Sequence, residues 1–187
     1  MASLAHGVSS LFFGVATPRL TDVSFTDQDY NACSQISFEW ACSYDTKNWT
    51  QLESILLPNL NVDYRAVMGP EAAWPNMTAA EFVAMMSAPG QLGNPLIATQ
   101  HLLGGSSWQR VNNTTIIGSY QMRAAHVRYA ADNEGLRSSS VVVSANSHAI
   151  VKHTYGLDLD GAWKLAGIQP SVLFDEGNLS AIFDADL

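Results

Sequence analysis

Four long stretches in the second half of the chain, Ile97 to Val111, Thr115 to Ala131, Val141 to Leu159 and Trp163 to Ile168, mix apolar and polar residues at a period near two. Strand side chains alternate between faces, so each stretch is expected to be a half-buried strand, and Asp160-Gly161 marks a tight hairpin between the last two. The first half follows the other period. Thr26, Asp27 and Asp29 open a segment in which Tyr30, Cys33, Ser37, Trp40, Ala41 and Tyr44 form one helical stripe. Asn48 caps a short helix in "NWTQLESILLP" that Pro58 stops, "LNVDYRAVM" reads as a strand with Val62, Tyr64 and Ala66 on one face, and Thr78 with Glu81 forms a capping box ahead of a helix presenting Phe82, Met85 and Met86. Helices first and antiparallel strands after define the α+β class. The expected architecture is a strongly curved mixed or antiparallel sheet wrapped around N-terminal helices, an α+β barrel or cone with an internal pocket.

The composition says what such a pocket contains. Only 14% of the 187 residues are charged and 47% are hydrophobic, against about 25% charged in an ordinary soluble domain, so apolar surface is enclosed. A net charge of -8 argues against nucleic acid, whose phosphates need clustered cations. Two cysteines, Cys33 and Cys42, offer neither a disulfide framework nor ligand spacing, which fits a reduced, cytoplasmic setting. The patch "LFFGVA" lacks a basic flank and is too short to span a bilayer. No membrane partner is expected. Residues 1–24 read as a tail and 25–187 as one domain, and the N-x-S/T triplets at Asn48, Asn76, Asn112, Asn113 and Asn178 read as chance matches.

Several polar residues interrupt these apolar elements. In "VVVSANSHAIV", Ser144, Asn146 and His148 share a face, which is either a solvated outer surface or the wall of a cavity. His101 shares its strand face with Thr99 and Leu103, and His126 shares one with Met122 and Ala124. Histidine is the side chain best suited to exchange protons near neutral pH, although a buried histidine can equally be a satisfied core residue. Tyr44 and Asp45 sit at a helix end, and Tyr64 lies between Asp63 and Arg65. A carboxylate beside an imidazole orients it, and phenols polarise a carbonyl. The bland alternatives are a turn residue for Asp45 and a solvated face for Asp63 and Arg65. No histidine pair has metal-ligand spacing, so no metal is expected. His148 and His153 read as ordinary strand residues.

The segments "FEWACSYDTKNW", "VDYRAVM", "TQHLLGG", "HVRY", "VSAN" and "WKLAGIQP", in this order between Phe38 and Pro170, resemble the scytalone dehydratase family, fungal enzymes with a nuclear-transport-factor-like fold. The resemblance implies a cofactor-free dehydratase acting on a hydroxy-ketone-type secondary metabolite. It implies that Tyr44 and Tyr64 hold a water, that His101 is the acid/base residue with Asp45 as its partner, that Ser144 hydrogen-bonds His126, and that Asn146 holds a substrate hydroxyl. It places Trp40, Val67, Met85, Gln91, Leu92, Leu179 and Phe183 against the substrate, with a C-terminal lid from about residue 171. It also implies a homotrimer packed through sheet faces.

Departures from the family pattern weaken the aromatic clamp. Val67 and Leu179 stand where phenylalanines are expected, a valine is missing near Gln91, and Pro89 replaces a lysine. The rival readings are a cyclase, isomerase or pericyclic enzyme using the same pocket, and a non-catalytic small-molecule-binding module.

Overall fold

A reciprocal cap opens the fold. Thr26 Oγ1 accepts the Asp29 N–H while the Asp29 carboxylate accepts the Thr26 N–H, and helix α1, Asp27–Thr46, follows. These elements belong to a computed structural model that describes residues 24–184. The expected tail over 1–24 lies outside the described residues apart from its last position. Helix α1 buries Cys33, Ile36, Ser37, Trp40, Ala41 and Tyr44, whereas Tyr30 at the head of the stripe is exposed. It ends at Lys47, whose left-handed backbone (φ 56°) turns the Lys47 and Asn48 N–H groups back onto the carbonyls of Tyr44 and Ser43. That turn fixes Tyr44 and Asp45 at the helix terminus.

Asn48 caps α2, Trp49–Ser54, as its sequence position suggests. The stop is not Pro58. The helix ends four residues earlier, and Pro58 sits inside strand β1, Leu56–Asp63, where the register with its neighbour shifts between Leu56 and Asn61. A residue with no N–H is tolerated at such an irregularity. The expected strand through Ala66 is also cut short, because Asp63 Oδ1 accepts the Arg65 N–H and this side-chain turn starts helix α3, Arg65–Met68. Strand β2, Ala73–Thr78, then leads into α4, Ala79–Met86, under the Thr78–Glu81 capping box. Four long strands follow: β3, Ile97–Asn112; β4, Thr115–Ala131; β5, Arg137–Leu157; and β6, Trp163–Gly177. The β5–β6 turn is longer than a two-residue hairpin, since Leu157 pairs with Trp163 and Asp158 Oδ1 accepts the N–H groups of Asp160 and Ala162. A last helix, α5, spans Leu179–Ile182.

The strands form one mixed sheet in the order β2-β1-β6-β5-β4-β3, antiparallel except between β1 and β6. The expected α+β class therefore holds, but the barrel does not. Strands β2 and β3 are free edges and never pair, so the sheet is neither closed nor strongly curled. Helices supply the cover instead. One face of the sheet, carrying Ile116, Tyr120, Val151, Tyr155, Leu165 and Ile168, packs with Trp40, Leu52, Phe82 and Met86 in a single core cluster. Near the C-terminus a smaller cluster joins Ile97, Ala145 and Ile182. No described helix is long and apolar enough to cross a membrane.

Candidate active site

The sheet register decides which side chains meet the helices. In an antiparallel pair, directly opposite residues share a face. His126 lies opposite Thr99 on β3 and Ala145 on β5, and His101 lies opposite Ala124. Both imidazoles therefore project from the covered face, with ring centroids 5.9 Å apart. From α1, the rings of Tyr44 and Trp40 approach His101 to 5.4 and 5.5 Å. Tyr64, at the bend before α3, brings its hydroxyl to 3.2 Å from that of Tyr44.

These groups surround a cavity of about 500 Å³. Of the residues singled out in the sequence, Trp40, Tyr44, Tyr64, Val67, Gln91, Leu92, His101, His126, Leu179 and Phe183 line it. Asp45 stands behind His101 rather than in the cavity. Its carboxylate accepts from His101 Nδ1 at 2.8 Å, from the His101 backbone N–H at 2.9 Å and from Thr99 Oγ1 at 2.9 Å. Because a carboxylate only accepts, Nδ1 carries the hydrogen, and Nε2 is the atom left to exchange a proton.

Burial and partners set the charges. Burial disfavours the Asp45 carboxylate, but the His101 side chain, its backbone N–H and Thr99 together outweigh this and hold its pKa below the usual range. Burial raises both phenols, Tyr64 to about 12 against the opposing pull of Tyr44, and Tyr44 well above its ordinary value with Tyr64 adding to the effect. Both stay protonated, with one hydroxyl donating to the other. His126 is pushed down to about 4, first by burial and then by His101. Its Nδ1 donates to the Ala124 carbonyl at 3.1 Å, so its Nε2 is a neutral acceptor. Among the described residues no group of three or more His, Cys, Asp or Glu could hold a metal ion.

Three expected residues are elsewhere. Ser144 lies opposite Val127, and Asn146 lies opposite Ala125, which puts both on the uncovered face. Asn146 Nδ2 donates to Glu176 at 3.2 Å, and Ser144 is exposed. Ser144, Asn146 and His148 thus belong to the uncovered face of the sheet, and His126 takes Ala124 rather than Ser144 as its partner. The odd-numbered set of β5 points inward instead, with Ala145, Ser147, Ala149, Val151, His153 and Tyr155 all buried. Lys152 shares the parity of Ser144 and Asn146, and a lysine stem belongs on the wet side. That residue was the available signal. On α4, Met86 lines the cavity while Met85 packs against the core from outside it.

The cavity also has polar lining that pattern reading did not single out, Ser147, Asp175 and Ser180. His153 is fully buried but belongs to a separate group: Ser37 Oγ bonds its Nδ1 at 2.6 Å and the Tyr155 hydroxyl at 2.5 Å, and Tyr155 bonds Tyr120 at 2.8 Å. Helix α5 closes the C-terminal end, where Phe183 meets His126 edge-on at 5.9 Å and Arg128 donates to the Ile182 carbonyl at 3.0 Å. A larger groove of about 740 Å³ between α1 and the start of β6 is edged by Gln28, Gln35, Glu39 and Lys164 and contains no histidine.

Comparison with known proteins follows the same lines. The scytalone dehydratase family model matches residues 23–186. The chain is 42% identical to a scytalone dehydratase-like protein of Claviceps purpurea over 156 residues, 83% of this chain and 94% of that protein. It is 38% identical to a scytalone dehydratase of Colletotrichum orbiculare over 160 residues, 86% of this chain and 81% of that one. Among solved structures, a candidate scytalone dehydratase of Novosphingobium aromaticivorans superposes with a TM-score of 0.63 at 14% identity, covering 81% of this chain and 88% of that one. At that identity the likeness concerns the fold alone.

Proposed function

The chain belongs to the scytalone dehydratase family, and from that premise we propose that it is a cofactor-free hydro-lyase removing water from a β-hydroxy ketone of fungal secondary metabolism. As a member of that family it is an enzyme of a dehydratase-type superfamily acting on small organic molecules. The observation that carries the finer reading is the meeting of an Asp45-bound imidazole and a protonated phenol pair in one 500 Å³ pocket.

The chemistry is an elimination by proton relay. The hydroxyls of Tyr44 and Tyr64 donate, directly or through water, to the ketone oxygen and stabilise the negative charge that grows there. Nε2 of His101 takes the α-proton. The enolate electrons re-form the carbonyl as the β-carbon–oxygen bond breaks, and the same proton is delivered to the departing hydroxyl as water. Asp45 holds the imidazole in orientation and offsets its transient charge, as a buried carboxylate does in a catalytic triad. His126, through Nε2, accepts from a substrate hydroxyl. Acid/base help of this kind contributes about 10² to 10⁴-fold. Leu92, Met86, Val151, Ile168 and Pro170 give the substrate an apolar bed, and residues from about 171 with α5 act as its lid.

The test is incubation with a scytalone-like hydroxytetralone, following loss of water by mass spectrometry. Turnover supports the dehydratase. Tight binding with no mass change contradicts it and favours a cyclase or isomerase, which the smaller Val67 and Leu179 in the pocket wall would suit. The expected homotrimer would pack through the uncovered sheet face, where Leu102, Leu173 and Phe174 are exposed. Light scattering that returns a monomer contradicts it.

A further inference from the structure

Strand β6 changes face part-way along, and this decides what stands at the pocket mouth. Ile168 pairs with His153 and Pro170 with Val151, so through the middle of the strand its even-numbered residues lie on the covered face. Continued alternation would send Asp175 outward with Gln169 and Ser171. Instead the register slips, since Ala149 pairs with Val172 but His148 pairs with Phe174, which leaves Leu173 as an extra residue. Beyond this bulge Asp175 lies opposite the buried Ser147, and both line the cavity. Bulges beside active sites commonly re-aim a side chain in this way. The outer face bears the consequence, with Leu173 and Phe174 exposed.

We propose that Asp175 and Ser147 form a specificity subsite at the mouth of this pocket, receiving a substrate hydroxyl remote from the reacting carbon; the proposal rests on the dehydratase reading of the same site. Two observations define the ligand. Among the described residues neither the Asp175 carboxylate nor Ser147 Oγ has a hydrogen-bond or ion-pair partner, whereas Ser180, the other mouth hydroxyl, already donates to Asn178 at 2.7 Å. Directly opposed side chains on antiparallel strands have Cβ atoms about 4.5 to 5.5 Å apart, so the two groups can converge on one oxygen. A hydroxyl fits both roles at once, donating to the carboxylate and accepting from the serine. An ammonium group cannot accept the serine proton. His126 is near enough for its charge to interact with that of Asp175, and its neutral Nε2 extends the row of acceptors along the same wall. The neighbouring acid, Glu176, faces away and bonds Asn146 at 3.2 Å. Alternation sends the two consecutive carboxylates to opposite faces, and the bulge decides that Asp175 is the one facing the pocket.

The experiment compares two flat bicyclic aryl ketones, identical except for one phenolic hydroxyl on the ring remote from the carbonyl, binding to the full chain by calorimetry. Wild type should hold the hydroxylated ketone about 10- to 100-fold more tightly, the range expected for a hydrogen bond to a charged acceptor. Asp175→Ala should remove that preference by weakening the hydroxylated ligand alone, Asp175→Asn should keep part of it, and Ser147→Ala should cause a smaller loss. No preference in wild type, equal weakening of both ligands in Asp175→Ala, or tighter binding of the corresponding amine would overturn the subsite. Water loss from a hydroxytetralone without any hydroxyl preference would overturn the subsite and leave the dehydratase standing. Preference without water loss would do the reverse.

Discussion

Trp40 stands between two histidines of opposite setting, a partly buried one that lines the cavity and a fully buried one that does not. Its ring centroid is 5.5 Å from that of His101 on one side and 4.7 Å from that of His153 on the other. His101 has a carboxylate on Nδ1 and an open cavity in front of it. His153 has a serine hydroxyl on Nδ1 and phenols beyond, with no carboxylate in the group, and burial pushes its pKa down to about 3. Burial alone drives an imidazole neutral and makes it a packing element. A carboxylate partner and a space for substrate are what turn the same ring into a proton carrier. Residue type and strand position do not distinguish the two.

The sharpest way to break this contrast is to replace each ring in turn. His101→Asn should lower turnover about 10² to 10⁴-fold with little change in the unfolding midpoint. If the rate survives, the two histidines are equivalent and the contrast is void. Tyr64→Phe removes one donor to the developing oxyanion and should cost about 10² to 10³-fold in kcat, read in the same assay. On the other side of Trp40, Ser37→Ala strips His153 of its hydrogen-bond partner and should destabilise the fold by about 1 to 3 kcal/mol in urea unfolding. Its effect on turnover should be far smaller than that of His101→Asn.

The smallest expected effect lies in the acid limb of stability. An unfolded chain's imidazole takes up a proton as pH falls below its ordinary value of 6.5, while folded His153 refuses one until about 3 and folded His126 until about 4. The unfolded state therefore binds more protons across that window, and stability should decline from pH 6.5 downward. Asp45 adds its own loss further down, because its depressed carboxylate contributes fully above its unfolded pKa and loses that contribution as pH falls through its lower folded value. His153→Gln removes one titrating ring and should flatten the decline between pH 6.5 and 3. A slope identical to wild type would show that His153 titrates freely in the folded chain.

Sequence pattern carried the elements with strong local rules. The Thr26–Asp29 and Thr78–Glu81 caps, the α1 stripe from Cys33 to Tyr44, and the ends of β3 and β4 follow from hydrogen-bonding and periodicity that neighbours do not override. His101 and His126 stand out as polar side chains among apolar strand neighbours, Tyr44 and Asp45 by their place at a helix end, and Tyr64 by its place between Asp63 and Arg65. What failed was face assignment. A strand has two faces and its sequence does not say which is covered, so the pattern leaves Ser144 and Asn146 open and only the family resemblance puts them in the pocket, although Lys152 shares their parity. Asp175 was harder still, since its orientation depends on a bulge at Leu173 created by pairing with β5. Closure of the sheet was another long-range property. Whether β2 meets β3 depends on the twist of all six strands, which no local signal in either strand encodes.

The most direct measurement of the central claim uses a β-hydroxy ketone deuterated at its α-carbon, with water loss followed in wild type and in His101→Asn. Proton transfer at His101 predicts a primary isotope effect on the wild-type rate and a near-complete loss of turnover in the variant, with the Tyr44–Tyr64 pair intact. Near-normal turnover in His101→Asn, or a wild-type rate indifferent to the α-deuterium at a step shown to be chemistry, would contradict it.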